Sequence, residues 1–569
     1  MWMQDLDPFG SLGLSAAAAA LPIVFLFWAL AIKRMKGHWA ALGALGLALL
    51  VAVLVFRMPF SLALLATAHG AAFGIFPIGW IVFSAVMLHG IMERTGQFDA
   101  LKVSVAGLTS DQRVQAVLVA FCFGALVEAC AGFGAPVAIT AGILAGLGIP
   151  IIQAAELCLV ANTAPVAFGS IGIPIITAAA VSGLDSMAIS QMVGRQLPLL
   201  SVIVPFYLVG IMSGRRGLRE TWDVTLIAGV SFAITQWWSS NYLGPTLPDI
   251  LSALASMAAV LLWLAWKRRH TPRTVDRTAR AHALFGWSPF LIVCVLMIVW
   301  ALPDVKKFLD LATIVFPVPY LHEAVTSAIT GKSIAANYTV NLLSAAGSAL
   351  FFACVVTATS QGHRLSGLTG FYTDTIKKMR YPLVTIAALL GYAYLGNASG
   401  MTITLGNLFA GTGMLFPLFA PLIGWLGVFI TGSDTSSNAI FGKLQAVTAE
   451  KIGINPVLTV ASNASGGVAG KMVSPQSIAV AAAATGLTGQ EALLFRRTIK
   501  HSLVLVSLVM ILTFLQSNVL SWMTPDATVT ASAATSTPHH VRALVLLLSG
   551  VLTALVIAYA SRTRATDTT

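Results

Sequence analysis

Residues 162–174 read N-T-A-P-V-A-F-G-S-I-G-I-P, and they interrupt a block, 151–183, that is otherwise almost wholly apolar. Glycine and proline there break the helical hydrogen-bond ladder at a depth where lipid offers nothing to satisfy the freed backbone groups. Such backbone is tolerated only when it is buried in protein or lines a wet cavity, so the stretch predicts a broken membrane helix at a functional site. The preceding block, 114–148, is interrupted in the same way by G-F-G-A-P at Gly132 to Pro136. The C-terminal half repeats the pattern with T-G-S-D-T-S-S-N from Thr431 to Asn438 and S-N-A-S-G-G-V-A-G-K-M-V-S-P from Ser462 to Pro475. Helix N-termini made at such breaks point partial positive charge and free N–H groups inward, which suits a carboxylate without a fully buried cation.

Around these breaks, the 569-residue chain is 57% hydrophobic and only 9% charged, with a mean hydropathy of +0.86. That composition cannot cover a soluble globule with polar surface. Apolar runs of about twenty residues suit helices crossing about 30 Å of hydrocarbon, not the short alternating strands of an outer-membrane barrel. The predicted fold class is all-α integral membrane: a polytopic helical bundle of about 12–16 spans with broken or re-entrant helices. The net charge of +12 comes from Lys and Arg in short loops beside apolar spans, which reads as topology signals with some contact to anionic lipid, not as a nucleic-acid surface.

Spans are expected at roughly 12–32, 39–56, 77–92, 197–213, 222–238, 249–266, 287–303, 342–359, 382–396, 417–431, 498–515 and 541–560, with 60–76 left open between a short span and an interfacial piece. Basic clusters at Lys33 to Lys36, Arg215 to Arg219, Lys267 to Arg280, Lys377 to Arg380 and Arg562 to Arg564 place those loops in the cytoplasm, with the N-terminus outside and the C-terminus inside. The stretch 304–341, the loop at Asn241 and the segment 525–538 then lie outside. Arg113 and Arg215 both read as cytoplasmic, so the blocks 114–148 and 151–183 must together cross an odd number of times; one re-entrant hairpin plus one broken span satisfies this. Asp5 and Asp7 stand where a signal peptide would be basic, so the first apolar run is expected to remain.

The two halves share spacing. Asn162 to Pro174 and Asn463 to Pro475 are the same length, with Gly169 and Gly470 in matching places; a rival register pairs Asn162 with Asp434. One transmembrane domain, 1–569, is therefore divided into repeat 1 at about 60–220, repeat 2 at about 340–520, an external linker at 521–540 and a terminal helix at 541–560.

Candidate substrate contacts are the residues at the breaks: Gly132, Gly134, Asn162, Thr163, Ser433, Thr435, Ser436, Ser437, Asn438, Ser462, Asn463, Ser465 and Lys471. Charges at membrane depth are expensive and normally functional or paired, which singles out Asp434, Glu128 and Glu156 as proton carriers. Asp434 reads equally as a helix N-cap, Glu128 as half of an ion pair with Lys443 or Lys471, and Glu156 as an interfacial residue. Arg195, Arg496 and Arg497 read as span ends, His69 and His89 as packing or relay histidines, and Tyr392, Tyr394, Asn397 and Ser399 as a polar cluster that packs or meets a 2-hydroxyl. No cofactor or metal is implied: the five cysteines, Cys122, Cys130, Cys158, Cys294 and Cys354, form no CxxC pair, His539 and His540 have no further ligand nearby, and there is no nucleotide-binding glycine loop.

G-F-G-A-P-V-A-I at 132–139, N-T-A-P-V-A-F-G at 162–169, I-T-G-S-D-T-S-S-N at 430–438 and A-S-N-A-S-G-G-V-A-G-K-M-V-S-P-Q-S-I at 461–478 resemble the bacterial lactate permease family over nearly the whole chain. The resemblance implies an inner-membrane symporter, not an enzyme, taking up L-lactate, D-lactate or glycolate with protons as a monomer or homodimer. The Asn-Thr and Ser-Asn breaks are more distantly similar to the hairpin motifs of the ion transporter superfamily, but Ala161 and Ala464 depart from that pattern and argue against carrying over its sodium sites. The competing readings are a sodium-coupled carboxylate transporter and a proton-translocating antiporter-like subunit of a larger complex.

Overall fold

Long apolar runs rich in Ala, Leu and Val become helices, and the Gly and Pro clusters become their ends. The computed structural model describes every residue except 34, 107–108, 110, 132–134, 268–276, 330, 363–366, 488–489 and 526–569. The first half contains α1 (Leu12–Phe27), α2 (Gly37–Leu54), α3 (Phe60–Phe73), α4 (Trp80–Arg94), α5 (Gln97–Ala106), α6 (Gln112–Ala116), α7 (Gly124–Ala131), α8 (Ala135–Gly146), α9 (Ile151–Ala161), α10 (Gly169–Ser182) and the long α11 (Ser186–Tyr242). The second half contains α12 (Pro248–Lys267), α13 (Arg277–Ala301), α14 (Pro303–Asp310), α15 (Ala346–Ser360), α16 (Leu368–Ser399), α17 (Met401–Phe409), α18 (Phe416–Thr431), α19 (Asp434–Lys451), α20 (Pro456–Lys471), α21 (Pro475–Thr485) and α22 (Glu491–Ser517). Among the described residues the sheets are two-stranded: Trp2–Met3 pairs in parallel with Val325–Thr326, and Ile314–Pro317 pairs antiparallel with Asn337–Val340.

Eight described helices are long and apolar enough to cross a membrane, or up to ten if each bent pair is one span. This is fewer than the 12–16 expected, for identifiable reasons. The expected spans 197–213 and 222–238 share the 57-residue α11, which turns at Gly214 (φ 59°, ψ −155°). The span expected at 342–359 falls on the 15-residue α15, which is short of a bilayer crossing. The expected terminal span 541–560 lies outside the described residues. The segment left open, 60–76, is α3, which packs Gly70 against the Leu390 carbonyl of α16.

Loops predicted to share a face do meet. Arg113 Nη1 pairs with Glu220 at 2.5 Å, Lys267 Nζ with Asp223 at 2.9 Å, and Arg94 with Asp374. Asp111 caps α6 and holds Arg113 Nη2 at 2.8 Å, and that guanidinium keeps its carboxyl below the usual range. In another group of loops, Gln4 Nε2 donates to the Asn397 and Ala398 carbonyls at 2.9 Å each, and Asn397 Nδ2 donates to Val181 O at 3.0 Å. Arg195 Nη1 donates to Met523 O at 2.6 Å and Asn455 Nδ2 to Pro525 O at 2.8 Å. Arg195 is separated from the Gly214 turn by helix about 30 Å long, the thickness of a hydrocarbon core.

Two hairpins enter from these different groups. Gln112 Nε2 donates to Leu147 O at 3.2 Å, so the chain that goes in through α6 and α7 comes back through α8 beside its point of entry. α9 and α10 are bent by 63° at the break between them. In the second half α18 and α19 make a hairpin around Gly432 and Ser433, with Lys451 Nζ returning to Asn407 Oδ1 at 2.8 Å; α20 and α21 follow it, interrupted at Met472 to Ser474.

Candidate functional site

The two interruptions in the second half differ from the expected positions. Ser462, Asn463 and Ser465 lie inside continuous α20, and the break comes only after Lys471. At the hairpin tip the N-cap is Ser433, whose side chain accepts from the Ser436 N–H, so Asp434 is the first helical residue and is not the cap. Thr435 and Ser436 complete that first turn half-buried. In the first half the break is wider than Gly and Pro alone suggest: after Asn162 the chain makes a turn at Val166–Phe168, then Ser170, Ile171 and Gly172 adopt positive φ of 45°, 60° and 74° before α10 becomes regular. Positive φ at a β-branched isoleucine is rare and costly, and strain of this kind concentrates where backbone is held in place for a ligand.

Tertiary packing brings these breaks together. Lys471 Nζ, at the C-terminal end of α20, sits 2.5 Å from Glu128 Oε1, one turn before the tip of the first hairpin, and both side chains are under a tenth exposed. Of the two partners weighed for Glu128, Lys471 is the one it has; Lys443 Nζ instead donates to Ser182 O at 3.0 Å. A side chain at Gly169 would come within 2.8 Å of Glu128 Oε1, so the first-half break lies against the pair, and Gly467 leaves room for the Asp434 carboxylate in the same way. Asn438 Nδ2 donates to Asp434 Oδ2 at 3.3 Å and to Pro174 O at 3.2 Å, tying the second hairpin tip to α10.

The remaining predicted contacts divide into two kinds. Asn463 Nδ2 donates to Asn438 Oδ1 at 2.8 Å, Ser437 Oγ to Gly424 O at 3.1 Å, and Ser462 Oγ to Leu458 O at 2.7 Å while accepting from Gln196 at 2.8 Å. These three are internally satisfied. Asn162, Thr163 and Ser465 are buried with side-chain polar atoms that have no hydrogen-bond partner among the described residues, as are one oxygen each of Glu128 and Asp434. Buried polar groups are nearly always paired, so a concentration of unpaired ones at converging helix breaks is what a polar-ligand site requires. Gly132 and Gly134 lie outside the described residues.

The sequence reading missed Asp249. It opens α12 at 1% exposure, neither of its carboxylate oxygens has a hydrogen-bond partner among the described residues, and it lies within electrostatic reach of Glu128 and Lys471. At the start of a span, an acid reads from sequence as interfacial, and only packing against α7 reveals it as interior. The cluster therefore holds three buried carboxylates, Glu128, Asp249 and Asp434, around the Lys471 ammonium.

Glu156 joins a different set: Arg497 Nη1 at 2.8 Å and His501 Nε2 at 3.4 Å. His69 and Tyr394 pack edge to face with ring centroids 4.9 Å apart, and Tyr392 is buried, which fits the packing reading of that cluster. His539 and His540 lie outside the described residues.

A model of the L-lactate permease family matches residues 15–520. The L-lactate permease of Bacillus subtilis (strain 168) is 49% identical, covering 92% of this chain and 100% of that protein. The glycolate permease GlcA of Escherichia coli (strain K12) is 45% identical, covering 92% of this chain and 99% of that protein. The chain belongs to the L-lactate permease family. Members of this family are permeases and not enzymes, and this one is a multi-pass membrane protein. The family match takes in both hairpins and both broken helices and stops short of the segment 521–569. Among solved structures, the YdaH transporter of Alcanivorax borkumensis aligns at a TM-score of 0.43 and 15% identity, covering 81% of this chain and 89% of that one, too loosely to add to the assignment.

Proposed function

We propose that the chain is a secondary transporter carrying L-lactate, and with it D-lactate and glycolate, together with protons across the bacterial inner membrane. The named activities of its relatives support the cargo. The observation that carries the coupling is the cluster of Glu128, Asp249 and Asp434 around Lys471. With all four ionised the formal charge is −2 (one plus, three minus), which repels an anion and is costly to keep dry. Protons must enter with the substrate for the balance to close. In this mechanism a proton taken by Glu128 loosens its hold on Lys471, whose ammonium then meets the substrate carboxylate. The freed N–H groups around Ser170 to Gly172 add to that hold, and Asn162 and Thr163 face the 2-hydroxyl. Glu156 serves as a peripheral proton group. Inverted repeats belong to the same proposal, supported by the two hairpins entering from different loop groups; a cytoplasmic C-terminus, supported by the basic Arg562 and Arg564, and a monomeric or homodimeric state complete it.

Counterflow of labelled lactate in proteoliposomes tests it, with glycolate, pyruvate and succinate as competitors, at two proton gradients and with or without sodium. Lactate and glycolate should exchange, succinate should not compete, and accumulation should follow the proton gradient alone. Glu128→Gln, which mimics the protonated acid, should keep counterflow and lose gradient-driven accumulation. Gradient-driven uptake that persists unchanged in Glu128→Gln and in Asp434→Asn removes both as carriers.

A further inference from the structure

Apart from the central cluster, α9, α11 and α22 enclose a cavity of about 560 Å³ whose polar wall is Glu156, Arg497, Lys500 and His501. Gln153 and the Tyr207 hydroxyl, 2.8 Å from His501 Nδ1, add polar groups, and Ile203, Phe206, Ile211 and Leu218 make an apolar side. Arg497 compensates Glu156 within the wall, and Lys500, exposed and without a carboxylate partner among the described residues, lines the same cavity. The cavity sits at a membrane edge. Gly210 and Leu218 bracket the Gly214 turn, where Arg216 is 91% exposed and pairs with Glu220. One turn further along α22 from Lys500, Leu503 and Val504 are 46% and 48% exposed, so this flank faces hydrocarbon.

One uncompensated cation, Lys500, beside the Arg497 guanidinium that Glu156 already pairs, set over an apolar side that opens to lipid, matches the shape of one amphiphile. We propose that the cavity binds an anionic phospholipid, its phosphodiester against Arg497 and Lys500 and an acyl chain along Ile203, Phe206 and Ile211. A small hydroxy acid has no use for the apolar wall, and a zwitterionic lipid would set its own cation against Lys500. The inference does not depend on the coupling mechanism above.

The test is native mass spectrometry and thermal melting of the full chain purified in neutral detergent, with phosphatidylglycerol, phosphatidylcholine, inorganic phosphate or L-lactate added. Phosphatidylglycerol should be retained and raise the melting midpoint, whereas phosphatidylcholine and inorganic phosphate should do neither. Lys500→Gln should cut phosphatidylglycerol retention about fivefold, the worth of one basic residue at an anionic surface. Gly210→Leu should also displace the lipid by filling the slot without touching a charge; the new Cβ has only Leu218 Cδ1 near it, at 3.8 Å, so the helix stays intact. Retention unchanged in both variants, or an equal rise in midpoint with inorganic phosphate or lactate, overturns the proposal; the latter would make the cavity a soluble-anion vestibule.

Discussion

Glu128 and Lys471 form a buried pair whose partners depend on each other for neutralisation. Removing one member leaves an uncompensated charge, so Lys471→Met should lower stability by about 3–5 kcal/mol, and adding Glu128→Met should restore most of that loss. Denaturant melts of the three variants in detergent measure it; a double variant no more stable than Lys471→Met would show that the pair is not the reason for the cost. Asp249 has no such partner among the described residues, and Asp249→Asn preserves its shape. The variant should fold and exchange lactate in counterflow while failing to accumulate it against a gradient at imposed acid pH, which parallel uptake assays at equal protein density would reveal.

Among the elements, α18 and α20 press backbone to backbone. Side chains at Gly466 and Gly470 would run into the Pro421 and Trp425 carbonyls, and one at Gly424 into the Asn463 carbonyl. This small-residue contact, four residues apart on α20, is how membrane helices gain packing without a hydrophobic driving force. It leaves a different face of α20 for the charges: Lys471 stands one turn beyond Gly467, which lies against the Asp434 carboxylate, and that face carries it to Glu128. Gly466→Ala and Gly470→Ala should each destabilise by about 1–3 kcal/mol through overpacking. Gly46→Ala in α2, where a new Cβ meets nothing within 4 Å, should gain up to about 1 kcal/mol from helix propensity. Melting midpoints of the three in one detergent rank the effects, and an equal response at all three sites would contradict the packing argument.

For the whole molecule, the proposed opposition of the hairpins makes a topological prediction. Gln112 and Lys451 are both exposed and stand at the open ends of the first and second hairpins. Gln112→Cys and Lys451→Cys should react with a membrane-impermeant maleimide from opposite sides of sealed vesicles. Labelling of both from one side would dismiss the inverted arrangement.

By itself the sequence determined the membrane class, most of the helical segments and the first-half break after Asn162, because hydropathy and the conformational limits of Gly and Pro are properties of short segments. It also located most of the charges that matter, since a carboxylate such as Asp434 in an apolar block stands out wherever the chain folds. Tertiary structure alone decided which of them meet. Glu128 and Lys471 are 343 residues apart, and their contact depends on how α7 and the end of α20 are brought together. It alone moved Asp249 from an expected helix start to the interior, gave the capping role to Ser433 and placed Asn463 in mid-helix. Burial and pairing are set by neighbours that packing brings from distant parts of the chain, and no local pattern encodes that choice.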